Sequence, residues 1–269
     1  MLVCPKCAAS LVETGTSLKC QSNHSYDRSR GGYYNLLLSQ ASGTHGDNSE
    51  MVLARRAFLT GGHYKPLAER VAQLVAEHTK KGEPILDAGC GEGYYTDIIE
   101  RTMKARDGES AVYAFDISKN AVREMRRKNS DVHAVVAGSY HMPIATASVA
   151  TVVNTFSPLA RDEVHRVLCD GGVFVMAIPE QMHLYELKAA IYDTPYRNTV
   201  DDPALDGFEL LGSERITYVM HLADRETVSA LFGMTPYAYR TGSKGRERVA
   251  MLEHLDCTAD FRIFVYRKS

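Results

Sequence analysis

The sequence predicts an α/β fold in which helices cover both faces of a mostly parallel sheet, behind a small N-terminal module. Three observations support this prediction. Short apolar segments alternate with amphipathic ones from residue 84 onward, a glycine-rich turn follows the first of them, and three cysteines and a histidine cluster before residue 25. Short apolar strands that alternate with helices are typical of parallel sheets buried on both faces.

The chain has 269 residues, is 45% hydrophobic and carries a formal net charge of −2. A near-neutral chain has no global attraction for nucleic acid, so any RNA contact must use local basic patches. The N-terminus lacks the apolar core of a signal peptide, and no apolar run approaches the roughly 18 residues of a membrane span. These features predict a cytoplasmic protein with no membrane partner, whose six cysteines are thiols or metal ligands.

The order of the predicted elements divides the chain into three parts: a module at 1–36, a linker and helix at 37–62, and a main domain at 63–269. The polar stretch 39–49 is typical of a linker or mobile loop, and a helix is predicted at 50–60. The main domain opens with a helix at 64–81. Its seven predicted strands lie at 84–89, 111–117, 132–137, 149–156, 172–178, 214–222 and 260–268. Further helices are predicted at 94–104, 119–129, 161–169, 183–193 and 224–234.

The turn after the first strand of the main domain has the pattern Asp87-x-Gly89-x-Gly91-x-Gly93. Glycines let the backbone turn sharply and let a ligand approach the main chain, while the following helix offers free N–H groups. The third glycine comes one residue too early for the dinucleotide pattern. A carboxylate at Asp87 can pair with an ammonium group, which a pyrophosphate does not have.

A second acid, Asp116, ends the next strand, where a carboxylate can accept hydrogen bonds from two ribose hydroxyls. Together with the glycine turn, it resembles the S-adenosylmethionine (SAM) site of class I methyltransferases, which have a Rossmann-like, seven-stranded sheet. The segment 163–180 is similar to the helix, turn and strand that end that sheet core. The alternatives are a structural glycine turn in another doubly wound protein and, less favoured, a dehydrogenase. Many class I enzymes have an acid after the third strand. Ser139 and Tyr140 stand there instead, so Ser139 is predicted to contact the cofactor, and the adenine amine to meet a hydroxyl or a backbone carbonyl.

The N-terminal cluster has the spacing Cys4-x2-Cys7-x12-Cys20-x3-His24. Two such pairs can converge on one tetrahedral Zn²⁺, and four protein ligands leave no open position for catalysis. The site is therefore predicted to be structural, because about 35 residues cannot fold on apolar burial alone. The alternative is a set of free cysteines.

Three local basic sets are candidates for phosphate contact. The module carries cations with interleaved tyrosines, which can stack unpaired bases but are more often a solvated face with packed rings. A second set, at 126–128, is typical of the polar face of a helix. The third, at 240–248, is glycine-rich and predicted to be a loop. The module set comprises Lys6, Lys19, Arg28 and Arg30 with Tyr26, Tyr33 and Tyr34.

Joined in order, the cysteine spacing and the segments "RRAFLTGGHYKPL", "LDAGCGEGYYT", "FDISK", "NTFSP", "HLYELK" and "MTPYAYR" resemble the 23S rRNA guanine-N1 methyltransferases. The resemblance spans essentially the whole chain. It implies a homodimer whose cleft, with help from the zinc modules, holds an rRNA hairpin near the peptide exit tunnel. It also implies SAM contacts at Tyr64, Gly91, Glu92 and His183. Without it, Tyr64 would be a packed aromatic at a helix start, and His183 a surface or capping residue.

The acceptor pocket is predicted between the end of the fourth strand, at Asn154 and 156–158, and the segment from Glu180 to His183. Guanine N1 carries a proton at neutral pH, so a base must remove it before or during methyl transfer. Asn154 is the candidate that holds the base, and Glu180 and His183 are candidates for the proton acceptor. Two other functions remain open: a small-molecule methyltransferase, which has no evident use for zinc, and a non-catalytic RNA-binding module, which has no need of Asp87 or Asp116.

Overall fold

The computed structural model describes residues 1–38, 46–128, 132–200 and 203–269. Most of the predicted linker, residues 39–45, lies outside the described part. The N-terminal module contains a small antiparallel sheet in the order β1-β2-β3. Its strands are β1 (Val12–Thr14), β2 (Ser17–Lys19) and β3 (Ser25–Asp27).

The main sheet has eight strands in the order β10-β11-β9-β8-β5-β6-β7-β4. The pairs from β4 to β9 are parallel, and β11 is antiparallel to both of its neighbours. The strands are β4 (Tyr34–Asn35), β5 (Ile85–Ala88), β6 (Val112–Asp116), β7 (His133–Val136), β8 (Val149–Thr155), β9 (Leu168–Pro179), β10 (Phe208–Leu222) and β11 (Leu255–Lys268). Strands β5 to β11 are the seven predicted ones, in the order of a class I methyltransferase sheet, and the predicted fold class is confirmed.

Nine α-helices lie in the described ranges: α1 (Ser49–Thr60), α2 (Lys65–His78), α3 (Tyr94–Arg106), α4 (Lys119–Lys128), α5 (Arg161–Val167), α6 (Tyr185–Ile191), α7 (Arg225–Gly233), α8 (Tyr237–Arg240) and α9 (Ser243–Ala250). The Asn48 side chain caps α1 by accepting from the Met51 N–H at 2.9 Å, which fixes where this helix begins. None of the helices in these ranges is long and apolar enough to cross a membrane.

Two hydrophobic clusters fill the two faces of the sheet. The larger contains apolar residues of α1 to α4, α6, α7 and α9. The smaller contains Val164 and Val167 of α5 together with Leu18, Tyr34 and Leu36 from the first 38 residues. The N-terminal module thus covers part of one face of the sheet, where this fold otherwise uses helices.

The N-terminal module is also joined to the main domain through its backbone. Asn35 of β4 pairs with Val136 of β7, and this two-residue strand was not predicted from the sequence. The Val3 N–H donates to the Pro143 carbonyl at 2.9 Å, and the Ala145 N–H donates to the Met1 carbonyl at 2.9 Å. Both ends of the module are therefore fixed to β7 and to the segment that follows it.

The glycine-rich basic segment 240–248 is not a loop, and this prediction was wrong. Residues Ser243–Ala250 form α9, which packs on α6. Gly245 is buried there: a Cβ on it would lie 2.9 Å from the Ile191 carbonyl oxygen. Gly245 allows α9 to approach α6 closely and does not make the chain flexible. In the sequence, the glycines of this segment favoured a loop, which is why the prediction was wrong.

Candidate functional site

A cavity of about 1100 Å³ opens at the carboxyl ends of the parallel strands. Loops that follow β5, β6, β7 and β8 form one wall, and segments around α6 and α8 form the other. Parallel α/β sheets bind ligands at this edge because their helix N-termini and connecting loops converge there. Most of the residues predicted to bind the cofactor line this cavity: Tyr64, Gly89, Gly91, Glu92, Asp116, Ser139 and His183.

The glycine turn forms the floor of the cavity. Gly89 and Gly91 have φ values of +87° and +56°, in the left-handed region that favours glycine. A Cβ on Gly89 would lie 2.1 Å from the Ser157 Oγ, so the turn after β5 packs directly against the loop after β8. Gly93 then precedes α3, whose first turn faces the cavity.

Asp87 ends β5 beneath this turn and is fully buried. Its Oδ2 accepts a hydrogen bond from the Thr96 hydroxyl, whereas its Oδ1 has no hydrogen-bond partner in the described chain. Burial raises the Asp87 pKa to about 7; the Thr96 hydrogen bond opposes this, and the Asp116 and Glu92 carboxylates add to it. A buried carboxylate oxygen without a donor is a position where a cationic ligand would be stabilised.

Asp116 ends β6 one strand away, with its carboxylate at the cavity wall. It accepts hydrogen bonds from the Gly91 N–H at 3.0 Å and the Ser118 N–H at 2.7 Å. Burial raises its pKa, and these two amides oppose the rise. A carboxylate has about four acceptor sites, so two remain for ribose hydroxyls.

Tyr64 and His183 meet on the opposite side of the cavity. The Tyr64 hydroxyl lies 3.2 Å from His183 Nε2, and the Asp260 N–H donates to His183 Nδ1 at 3.3 Å. Because Nδ1 accepts, the neutral ring carries its proton on Nε2 and donates it to Tyr64. Burial, with a smaller contribution from the Lys188 charge, lowers the His183 pKa to about 3. His183 is therefore a neutral residue with both ring nitrogens engaged.

The segment after β8 has the conformation of a strained turn. Phe156 has a φ of +60°, which is uncommon for a residue with a side chain. Next to it, the Thr155 Oγ1 is buried without a hydrogen-bond partner in the described chain. Asn154 is buried behind them, and its amide donates weakly to the Pro158 carbonyl at 3.5 Å. The structure therefore brings Asn154 to the turn as a brace rather than to the cavity surface.

Glu180 lies behind the cavity wall, although its neighbours Pro179 and His183 line the cavity. Its Oε1 accepts from the Arg262 Nε at 2.6 Å, and its Oε2 accepts from the Gln181 N–H at 3.2 Å. The carboxylate is buried and bound to a cation, which does not favour its acting on a substrate proton.

The predicted metal ligands converge in the N-terminal module. The ligand atoms of Cys4, Cys7, Cys20 and His24 all lie within 4.8 Å of one another. Cys7 and Cys20 sulfurs are 3.7 Å apart, and the His24 Nδ1 lies 3.4 Å from the Cys4 sulfur. Zn–S bonds of about 2.3 Å give a tetrahedral edge of about 3.7 Å, so this set fits Zn²⁺. Burial raises the Cys4 pKa, but hydrogen bonds from Tyr26 and from backbone amides lower it to about 6, which favours a thiolate ligand.

Comparison with known proteins assigns the family. The "RlmA, N-terminal" zinc-ribbon family model matches residues 2–42, and the "Methyltransferase domain" model matches residues 85–172. A 23S rRNA (guanine(748)-N(1))-methyltransferase of Streptomyces fradiae is 31% identical over 88% of this chain and 85% of its own length. The chain belongs to the 23S rRNA (guanine-N1-)-methyltransferase family.

Two further relatives extend the family likeness to the full length of the chain. A protein of Micromonospora griseorubida, assigned as a 23S rRNA (guanine-N1-)-methyltransferase, is 32% identical over 99% of this chain and 97% of its own. The Bacillus subtilis protein YxjB, with the same assignment, is 30% identical over 100% of this chain and 97% of its own. This methyltransferase therefore has the cofactors of its family, SAM and a structural zinc ion, and its Asp87 oxygen and Cys/His cluster fit them.

Several residues that line the cavity of this methyltransferase were not predicted as site residues. Tyr196 and Asn198 follow α6, and Tyr237 and Arg240 belong to α8. They are separated along the chain and carry no common spacing, so only the fold brings them together. The segment "MTPYAYR", which contributes to the family resemblance, contains the last two.

Behind this aromatic wall lies Lys188, which is fully buried. Its Nζ donates to Asn198 Oδ1 at 2.6 Å and to the Tyr196 carbonyl at 3.1 Å, and lies 4.7 Å from the centre of the Tyr196 ring. The lysine thus holds Tyr196 and Asn198 at the cavity, and this arrangement could not be predicted from a lone lysine in a helix.

Two tyrosines of the module prove to be packed rather than free. The Tyr26 hydroxyl lies 3.1 Å from the Cys4 sulfur, and Tyr34 is buried with its hydroxyl donating to Glu13. Arg28 pairs with the same glutamate. The interpretation as a solvated face with packed rings is correct for these three residues, and Lys6, Lys19 and Arg30 remain exposed.

Proposed function

We propose that this protein transfers a methyl group from SAM to N1 of one guanine in a hairpin of 23S rRNA near the peptide exit tunnel. The observation that carries the proposal is the combination of two sites on one chain. A SAM-type cavity with an unpaired buried carboxylate oxygen lies beside a fitted zinc cluster. Relatives similar over nearly the whole chain have 23S rRNA guanine-N1 methylation in their names, and the hairpin near the exit tunnel is part of the proposal. A small-molecule methyltransferase would have no use for the zinc module.

Different residues of the cavity contact different parts of the cofactor. Asp87 accepts the ammonium group of the methionine part, and the glycine turn at Gly89, Gly91 and Gly93 lets that part approach the backbone. Asp116 accepts the ribose hydroxyls. The remaining predicted contacts are Glu92, Ser139, Tyr64 and His183, all of which line the cavity. This division is supported by the burial and hydrogen bonding of the two aspartates.

The acceptor half of the cavity holds the target base. SAM supplies an electrophilic methyl group, so the protein must place the guanine N1 in line with it. A base in a hairpin must leave its stack to enter such a pocket. Tyr196, half-exposed and held from behind by Lys188, presents a ring for stacking, and the Thr155 hydroxyl is available as a hydrogen-bonding group.

The guanine N1 proton must leave, and the charge that remains on the base must be stabilised. We assign this stabilisation to Arg240, which lines the cavity and has no ion-pair or hydrogen-bond partner in the described chain. A cation close to guanine O6 favours the deprotonated base, which then needs only water as the proton acceptor.

This assignment changes the roles of the three residues predicted to be catalytic. Glu180 fixes Arg262 and the start of the segment that carries His183, so it is a positioning residue. His183 orients Tyr64 toward the cofactor, and Asn154 braces the turn at Phe156. These roles follow from hydrogen bonds that already engage each side chain.

The RNA partner is too large for the cavity alone, and the exposed cations Lys6, Lys19 and Arg30 of the module are candidates for phosphate contact. The homodimer that the family resemblance implies and the cytoplasmic location that the sequence predicts remain part of the proposal. Sedimentation of the full chain, with and without an rRNA hairpin, tests the dimer.

The function is tested by methyl transfer from labelled SAM to 23S rRNA transcribed in vitro. We expect label in 1-methylguanosine after nuclease digestion, and a reverse-transcription stop at one guanine, because N1 methylation blocks base pairing. The position is compared with guanine 748, which the Streptomyces fradiae relative's name specifies. Asp87→Asn is the inactive control. Label in another nucleoside, or no label in rRNA with the wild-type protein, contradicts the proposal.

A further inference from the structure

We infer that the end of the N-terminal zinc module and the two residues that follow it form part of the SAM site, through Leu36, Leu37 and Leu38, and that zinc binding raises the affinity for SAM. The zinc cluster alone indicates only a structural role for the metal. Four residues of the first 38 line the cofactor cavity, however: Pro5 and the three leucines.

The topology explains why these leucines lie at the cofactor. Strand β4 is parallel to β7, with Tyr34 beside Val135 and Asn35 beside Val136. Parallel strands end at the same edge of a sheet, so the chain that leaves β4 emerges where the cofactor binds. The Leu36 N–H continues the pairing by donating to the Val136 carbonyl at 2.9 Å.

The leucines lie at the adenine end of the cavity. Adenine in this fold is placed near the loops after β6 and β7, here Ile117 and the segment from Gly138 to Ser139, and both line the cavity. Leu37 Cδ2 lies 3.9 Å from the position that a Cβ on Gly138 would take. The β7 loop carries no acid for the adenine amine. Apolar contact from Leu37 and its neighbours therefore contributes the binding that a carboxylate supplies elsewhere.

A continuous set of contacts links the metal ligands to the leucines. Cys4 is followed directly by Pro5, at the cavity. On the other side of the ribbon, Glu13 of β1 binds both the Tyr34 hydroxyl, at 2.9 Å, and the Arg28 guanidinium. Zinc holds the two ends of the ribbon together and the ribbon holds Tyr34. Only Asn35 separates Tyr34 from the leucine segment.

This arrangement predicts reciprocal coupling between the two ligands. If zinc orders the wall that contacts SAM, zinc must increase SAM affinity, and SAM must increase zinc affinity by the same factor. A coupling factor of about tenfold lies within the usual range. The coupling concerns binding alone and does not depend on which RNA is methylated.

The first test truncates the proposed wall. Leu37→Ala removes apolar contact at the cavity, and Leu11→Ala removes a leucine that packs against the smaller cluster without lining the cavity. Affinity for S-adenosylhomocysteine is measured by calorimetry on full-length protein with one zinc per chain. We expect Leu37→Ala to weaken binding about tenfold and Leu11→Ala to leave it unchanged. Unchanged affinity in Leu37→Ala overturns the assignment of the wall.

The second test measures the metal rather than activity. Zinc release to a colorimetric chelator is followed in wild-type protein with and without saturating S-adenosylhomocysteine. We expect the ligand to slow release several-fold in wild type, and to slow it less in Leu37→Ala. Equal release rates in wild type with and without the ligand overturn the coupling, provided calorimetry shows that the ligand binds.

Discussion

At the scale of single residues, Asp87 has opposite effects on stability and on ligand binding. Its pKa of about 7 in the folded protein exceeds the usual 3.8 of an aspartate. The folded state therefore holds a proton that the unfolded state releases, and stability without ligand falls as pH rises from about 4 to 7. The difference corresponds to about 4 kcal/mol at neutral pH. A bound ammonium group removes this penalty by stabilising the carboxylate.

Asp87 should therefore make cofactor binding depend on pH. Below about pH 7, binding of an ammonium group must displace a proton, so affinity for S-adenosylhomocysteine should fall by about tenfold per pH unit and should level off above pH 7. Calorimetry between pH 5.5 and 8.5 measures this. Asp87→Asn should bind weakly at every pH, yet unfold at a higher temperature than ligand-free wild type at pH 8. A pH-independent affinity in wild type would contradict the role of Asp87.

A substitution of Glu180 distinguishes a positioning role from a role as the acceptor of the guanine N1 proton. Replacing it with glutamine breaks the ion pair to Arg262 but keeps the shape of the side chain. We expect the free energy of unfolding to fall by about 1–3 kcal/mol and the pH at half-maximal single-turnover rate to stay unchanged. Loss of a limb of the pH–rate profile would show instead that Glu180 accepts the N1 proton.

Arg240 should control the ionisation of the target base. In Arg240→Met we expect the single-turnover methyl-transfer rate to fall about tenfold to hundredfold, with its pH profile displaced to higher pH. Arg240→Lys should restore part of the rate and part of the original position of the pH profile. Arg248→Met is the matched control, because Arg248 pairs with Asp193 and does not line the cavity. A lower rate with no displacement of the profile would exclude the electrostatic role.

At the scale of elements, strand and helix periodicity predicted the seven strands of the methyltransferase sheet and its main helices. What could not be predicted is set by tertiary contact. Strand β4 has two residues, too few for any pattern, and forms only because β7 offers a free edge. The glycines of α9 have the composition of a loop, but Gly245 is required by the approach of α6.

The same distinction applies to the site. Asp87, Asp116 and the glycine turn lie at fixed positions relative to predicted strands, so their clustering followed from the topology. Tyr196 and Arg240 come from segments that meet only in the folded chain, and the burial of Lys188 is decided by the aromatic rings around it. Glu180 was predicted near the acceptor side, and the sequence contained no indication of its ion pair with Arg262.

Helix packing at α9 gives a prediction for stability. Gly245→Ala would place a methyl group 2.5 Å from the Thr241 Cγ2 and 2.9 Å from the Ile191 carbonyl oxygen. We expect the free energy of unfolding to fall by about 1–3 kcal/mol despite the better helix propensity of alanine. Gly212→Ala is the control, because no atom lies within 4 Å of its added methyl group. Denaturant unfolding of both variants measures the difference, and equal stabilities would contradict the packing role.

At the scale of the whole molecule, the module and the main domain share one hydrophobic cluster. Leu18 and Leu36 lie in the same cluster as Leu86 and Phe115 of the central sheet. Removal of zinc should therefore lower the unfolding temperature of the entire chain in one transition. Differential scanning calorimetry with and without a chelator measures this. Cys169→Ser, at a thiol outside the zinc cluster, should leave the melting temperature and zinc content unchanged. Two separate transitions would show instead that the module unfolds independently.

The pairing of β4 with β7 also orders the events of protein synthesis. The ribbon and its metal ligands leave the ribosome before the main domain, and the partner strand of Asn35 follows about 100 residues later. At 5–20 residues per second, that delay is roughly 5–20 s. During it, Leu18, Tyr34 and Leu36 have no sheet to cover them. We expect early metal capture to give the emerging segment a defined shape through this interval, so that the supply of zinc during translation affects how much of the chain folds correctly.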